Sequence, residues 1–307
     1  MRTLLSLLLG AALLGGAESI PAVPHDDPAF AAVLAPGTVV EKLADHGTGT
    51  FLEGPVWLPE GFLVYSDIPH DRLLRWPPIE GSDGAFRTPS RKTNGNALWR
   101  GRLLSCEQDL HRLAATGADG SVATLTDSFA GKPFNSPNDL AVAADGAVWF
   151  TDPTWGMRPR TQEQAHRGVF RYDPADGAVT EVAVDFEQPN GICFSPDHQT
   201  LYVSETGKKP LIRAFRVVDG KTLADGRTFA AVDAGVPDGM KVDTEGRVYA
   251  GIKTGVEVFA ADGRRLGLIP VPETTANLCF GGTDRRTLYV TASTSLYRVA
   301  VLTTGAP

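Results

Sequence analysis

One phrase recurs six times along this chain and limits its fold more than any other feature. It opens with a turn rich in Asp, Gly and Pro, continues in alternating apolar residues and usually ends in an acid. The copies run Pro59–Asp67, Arg100–Glu107, Asp145–Asp152, Pro196–Glu205, Glu245–Gly251 and Asp284–Ala292. Their last residues are 40, 45, 53, 46 and 41 positions apart. A period of about 40–50 residues built from short strands and turns is the signature of a β-propeller blade. Each copy is preceded by a strand-like run (Gly54–Leu58, Asp139–Ala143) and followed by others (Gly168–Tyr172, Ala214–Val218). Four strands per copy and six copies predict an all-β chain, a six-bladed β-propeller. A β-sandwich gives no reason for phrases to recur at one period.

Composition agrees with a turn-rich fold. Gly (33) and Pro (22) make up about 18 % of the 307 residues, too dense for a helical bundle. Apolar residues at 42 % and charged residues at 21 % exclude disorder as the main state. Lys and Arg number 29 against 36 Asp and Glu, a net charge of −7. There is no basic stripe of the kind nucleic acid requires, and an acidic surface disfavours anionic membranes. The longest interval contains Thr161–His166, expected as a helical turn or an inserted loop over the site.

Residues 1–17 read as a secretory signal peptide: Arg2, an uncharged run, then small residues at Gly15-Gly16-Ala17 before Glu18. The run is too short to span a bilayer, which takes about 20 residues. The expected organisation is the leader, an N-terminal extension at 18–38 and a propeller at 39–303, in an exported protein, periplasmic or secreted, with no stable membrane span when mature. Cys106, Cys193 and Cys279 lack metal-ligand spacing and read as buried apolar thiols, one pair being able to bridge in an oxidising compartment.

Counting back 13–15 positions from the last residue of each phrase gives Glu53, Asn94 (with Asn96 close by), Asn138, Asn190, Asp238 and Asn277. That is where the chain begins the innermost strand of each blade, beside the central channel. Asn and Asp next to Gly and Pro also form ordinary turns, but turns need not keep phase with a repeat, whereas an axial site must. Two carboxylates and several amide oxygens, without His or Cys, form a hard-oxygen set. The expected metal ligands are Glu53, Asn138, Asn190 and Asp238. The expected occupant is a divalent cation, calcium first, with Mg2+, Mn2+ or Zn2+ as alternatives. Glu53 and Asp238 together balance its charge.

At these residues the chain resembles the gluconolactonase family, which includes regucalcin (senescence marker protein) and the microbial sugar lactonases. More distantly it is similar to diisopropylfluorophosphatase and paraoxonase. The matching pieces are Glu53-Gly-Pro-Val-Trp57, Asn94-Gly-Asn96, Asn135-Ser-Pro-Asn-Asp-Leu140, Trp149-Phe-Thr-Asp-Pro153, Gln188-Pro-Asn-Gly-Ile192 and Pro237-Asp-Gly-Met240. The resemblance implies a six-bladed propeller with one catalytic divalent ion on its axis and hydrolysis of sugar lactones such as glucono-1,5-lactone. It places ligands on Glu53, Asn190 and Asp238, a ligand or substrate contact on Asn138, and the proton donor/acceptor on Asp238. Regucalcin-like members carry Arg where this chain has Ser136, so substrate contacts are expected to differ from that branch.

Asn94, Asn96, Glu107 and Asn138 are expected to contact substrate, and Trp155 and Met157 to form an apolar wall. No G-x-S-x-G motif suggests a serine hydrolase, and His70, His111, His166 and His198 read as surface residues. Two alternatives remain at this point: hydrolysis of other esters (aryl esters, acyl lactones or organophosphates) at the same site, and a non-enzymatic ligand-binding propeller.

Overall fold

The computed structural model describes residues 19–21, 27–157 and 159–307. The leader assigned to residues 1–17 lies outside them. The six phrases become the second strands of six four-stranded antiparallel units. Blade 1 consists of Leu52–Leu58, Phe62–Asp67, Arg72–Trp76 and Ala85–Arg87; blade 2 of Thr93–Trp99, Arg102–Glu107, Arg112–Thr116 and Val122–Thr126. Blade 3 comprises Leu140–Val142, Val148–Asp152, Gly168–Tyr172 and Val179–Ala183; blade 4 Pro189–Phe194, Thr200–Glu205, Leu211–Val218 and Thr222–Ala230. Blade 5 comprises Met240–Val242, Val248–Ile252, Gly255–Phe259 and Arg265–Pro270.

Blade 6 is assembled from both ends of the chain. Thr275–Gly281, Thr287–Ala292 and Ser295–Ala300 come from the C-terminal side, and Val39–Asp45 adds the next strand, pairing Glu41 with Arg298 and Asp45 with Ser295. Ser19–Pro21 extends this sheet to five strands. The ring is therefore closed by backbone hydrogen bonds between segments some 250 residues apart, which removes a free sheet edge. Among the described residues no helix is long and apolar enough to cross a membrane. Of the two expectations for Thr161–His166, a helical turn or an inserted loop, the loop is found. Asn135 Oδ1 takes the backbone N–H groups of Glu163 and Gln164, and Gln164 Nε2 donates to the carbonyls of Phe129, Lys132 and Pro133. These contacts fold the segment down as an irregular loop.

Strands with apolar residues on both faces bury both against neighbouring blades, and the core divides accordingly into six clusters, one per interface. Trp149, Val169, Ile192 and Phe215 belong to the cluster between blades 3 and 4. Phe134, Phe150 and Phe170 join blade 3 to blade 2, with ring centroids 5.0–5.6 Å apart. The cluster between blades 5 and 6 also takes in Phe30 from a short 3-10 turn, Pro28–Ala32, and Val33 and Leu34 just after it, ahead of the closing strand. The three cysteines are buried and free, each packed within such an interface.

Phe30 is fully buried and its ring lies against Gly267 of blade 5. Phe30→Ala should therefore destabilise the protein by about 3–5 kcal/mol, read as a lowered denaturant midpoint. An unchanged midpoint would mean that this turn contributes nothing to ring closure.

Candidate active site

The start of each innermost strand departs from regular pairing. Register breaks fall between Glu53 and Val56, Thr93 and Asn96, Pro189 and Ile192, and Thr275 and Asn277. In blades 3 and 5 the strand starts just after Asn138-Asp139 and Asp238-Gly239. A bulge at a strand end re-aims the side chains it carries. Aligning the blades on their strand pairs gives six equivalent positions: Glu53, Asn94, Asn138, Asn190, Asp238 and Ala276. This corrects one expectation, because the sixth position is Ala276 and Asn277 lies one step further on. Five of the six positions are polar.

Their main chains are tied to the preceding blade. The carbonyls of Asn94, Asn190 and Asp238 accept from the hydroxyls of Ser66, Thr151 and Ser204 at 2.7, 2.7 and 3.0 Å. Those of Asn138 and Ala276 accept from the N–H groups of Gly95 and Gly239 at 2.8 and 2.7 Å. Contact is so close that a Cβ on Gly54 would lie 2.1 Å from the Asn94 carbonyl oxygen, and one on Gly191 2.2 Å from that of Asp238. Only glycine permits that approach.

The side chains meet out of reach of solvent. Asn94 Oδ1, Asn138 Oδ1, Asp139 Oδ2 and Asp238 Oδ1 are buried with no hydrogen-bond partner. Buried oxygens are rarely left so, and four at one end of one channel suit a ligand that supplies positive charge. Glu53 Oε2 accepts from the Gly54 N–H (2.8 Å) and from Asn277 Nδ2 (3.0 Å). Burial, reinforced by the charge of Asp139, pushes the Glu53 carboxyl up to about 7. Asp238 is held well above the ordinary range by burial and then by the charges of Glu53 and Asp139, while a hydrogen bond from the Asn190 amide pulls the other way. Carboxylates from blades 1, 3 and 5 thus lie within each other's fields. Among the described residues no group of three or more His, Cys, Asp or Glu side chains is arranged to hold a metal ion. A cation here needs the amide oxygens of Asn138 and Asn190 beside Glu53 and Asp238, and that donor set fits a hard divalent ion.

Two expected substrate contacts have other tasks. Glu107, 0 % exposed, accepts from Arg87 at 2.9 Å and from Arg112 at 2.7 Å, one guanidinium on each oxygen. The acid closing a phrase holds neighbouring chain elsewhere too: Asp152 caps the N–H groups of Asn135 and Ser136, and Glu205 those of Glu187 and Gln188. The amide of Asn96 donates to Gly54 O, Ser66 Oγ and Asn94 O, and its Oδ1 accepts from Ser105, so it joins blade 1 to blade 2. Asn94 and Asn138 keep their oxygens free. Trp155 is 45 % exposed and Met157 is buried. Alternation of strands puts the exposed side chains of Phe51, Leu110, Trp155 and Val236 on loops at the ring's end of the propeller. Of the histidines, His70 lies beside Asp67, His166 beside Glu181, and His111 between Phe134 O and Arg160. Asp139 and Lys241 escaped the sequence reading. The clue was their departure from the repeat, visible only once the blades are in register. A surface groove of about 370 Å3 between blades 1 and 2 lies among turns at the opposite end.

Comparison with known proteins gives a consistent outcome. Residues 51–294 match the family model described as SMP-30/Gluconolactonase/LRE-like region. A gluconolactonase from Zymomonas mobilis is 32 % identical over 94 % of this chain and 88 % of its own. A pentonolactonase from Haloferax volcanii is 30 % identical over 83 % and 92 % respectively. The solved structure of a gluconolactonase from Xanthomonas campestris superposes with a TM-score of 0.83 at 39 % identity, over 92 % of this chain and 98 % of that one.

The ion-pair role of Glu107 carries its own test. Glu107→Gln leaves two guanidinium groups without a counter-charge and should cost about 3–5 kcal/mol of stability, with the KM for a lactone unchanged. A raised KM at unchanged stability would return Glu107 to the substrate site.

Proposed function

Because the chain belongs to the SMP-30/Gluconolactonase/LRE-like family, we propose that the axial ring is the active centre of a metal-dependent sugar lactonase acting on aldonolactones such as glucono-1,5-lactone. That it is a lactone-hydrolysing enzyme follows from its relatives. The observation that carries the finer reading is the set of buried, unpartnered oxygens at the ring, Asn138 Oδ1 and Asp238 Oδ1 foremost.

Glu53, Asn138, Asn190 and Asp238 would hold the cation, the carboxylates supplying charge and the amides dipoles. When bound, a hard divalent cation, calcium above all, supplies electrophilic polarisation of the lactone carbonyl. The chain's own groups account for the rest. Asp238 takes a proton from water as the water oxygen bonds to the carbonyl carbon. The ring C–O bond then breaks, and the same proton passes to the departing alkoxide, giving the hydroxy acid. Asn190 orients Asp238 through its amide. Asn94 Oδ1 is placed to accept a hydrogen bond from a sugar hydroxyl. The exposed Phe51, Leu110, Trp155 and Val236 at the mouth favour a second reading, a lactone or ester carrying an apolar substituent. The first 17 residues support export to the periplasm or beyond.

A panel of aldonolactones and aryl esters followed by pH-stat decides between the readings. Chelator treatment should abolish hydrolysis and added Ca2+ restore it, with aldonolactones the preferred class. Full activity in chelator sinks the metal reading, and preference for aryl esters selects the alternative. Asp238→Asn should lower kcat by about 100-fold or more.

A further inference from the structure

Two charged side chains interrupt the repeat just beneath the oxygen ring. One step past the ring, the blades carry Gly54, Gly95, Asp139, Gly191, Gly239 and Asn277. Two steps further on, the strand pairs align Val56, Ala97, Ala141, Cys193, Lys241 and Cys279. The first tier is otherwise glycine and one amide, the second otherwise small or apolar.

Asp139 is 2 % exposed. Its Oδ1 accepts from the Leu140 N–H at 2.9 Å and its Oδ2 has no partner. Gly95 of blade 2 leaves the space it occupies, since a Cβ there would lie 2.6 Å from Asp139 Oδ1. Lys241 follows Asp238 by three residues on the innermost strand of blade 5. Its Nζ donates only to the Met240 carbonyl, at 3.0 Å, and makes no ion pair among the described residues. Its charge is felt by Glu53 on blade 1, Asp139 on blade 3, Cys193 on blade 4 and Cys279 on blade 6. Its register position, level with Val56, Ala97, Ala141, Cys193 and Cys279, lies on the innermost strand, the layer of each blade nearest the axis.

We propose that Asp139 and Lys241 form an electrostatic tier beneath the ring that sets how tightly the centre holds its divalent cation. This rests on the metal reading above. Glu53, Asp139 and Asp238 bring three negative charges to the axis, and Lys241 subtracts one, leaving a sum that matches a divalent ion. Neither residue is a ligand in this account. They act at a distance, where Coulomb energy in a poorly solvated channel falls slowly. Lys241 prevents a three-carboxylate centre from over-binding the ion and from being repelled by the carboxylate product.

The test is calorimetric titration of Ca2+ into the metal-stripped full-length protein and its variants. Lys241→Met should tighten Ca2+ binding roughly tenfold, Lys241→Arg should bind as wild type, and Asp139→Asn should weaken binding at least about tenfold. The double variant should return to near the wild-type Kd. Unchanged or weaker binding in Lys241→Met, while wild type binds Ca2+ normally, overturns the proposal and leaves the metal reading standing. Absence of Ca2+ binding by wild type overturns both. If Asp139→Asn does not fold, the contrast between Lys241→Met and Lys241→Arg decides alone.

Discussion

The carbonyls of Asn94, Asn138, Asn190, Asp238 and Ala276 each accept a hydrogen bond from the blade before. With these main-chain groups satisfied sideways, the side chains of the bulges are left to face the axis. The same belt keeps the innermost strands so close that glycine follows the ring residue in four blades. Whatever chemistry the centre performs depends on this joining of blades, because Glu53, Asn138, Asn190 and Asp238 come from four different blades.

Placing acids in such a ring costs energy, and the rest of the molecule offsets it. Burial disfavours the charged forms of Glu53, Asp139 and Asp238. Six apolar clusters, one at each interface, hold the blades against that penalty. The interface between blades 1 and 2 has a smaller apolar cluster, of Val56, Leu58, Val64, Leu73 and Leu103, and there the buried Arg87–Glu107–Arg112 network adds polar contacts. It is enclosed, with one guanidinium on each carboxylate oxygen, so it specifies how the blades meet. The strand Val39–Asp45 completes the arrangement by turning an open array into a closed one.

Much of this was legible in the residues. The period gave blade number and placed the second strands, since the turn followed by alternating apolar residues survives in every copy and the terminal acid in four of six. Counting back from the phrase ends reached Glu53, Asn94, Asn138, Asn190 and Asp238. It reached the wrong residue in blade 6, where the hairpin between the first two strands is longer and puts the ring residue, Ala276, 16 positions before Ala292. Glu107 and Asn96 misled for a different reason. Both have the polarity of a substrate contact, but their partners, Arg87 and Arg112 for one and Gly54 and Ser66 for the other, lie largely on other strands and blades. Between the helical turn and the loop that Thr161–His166 allowed, the side chain of Asn135 decided for the loop by taking the N–H groups of Glu163 and Gln164.

The repeat alone determined that the chain is an all-β ring of six blades with one oxygen-bearing side chain offered by most of them. Local pattern suffices there, because strand alternation and turn chemistry act over a few residues. Which of those oxygens stay unpartnered, which acids are spent on guanidinium groups, and that Asp139 and Lys241 stand beneath the ring were decided only by the tertiary structure. Each depends on a partner contributed by another blade, and no spacing along one strand reveals whether a neighbour across the axis will fill a polar group or leave it free.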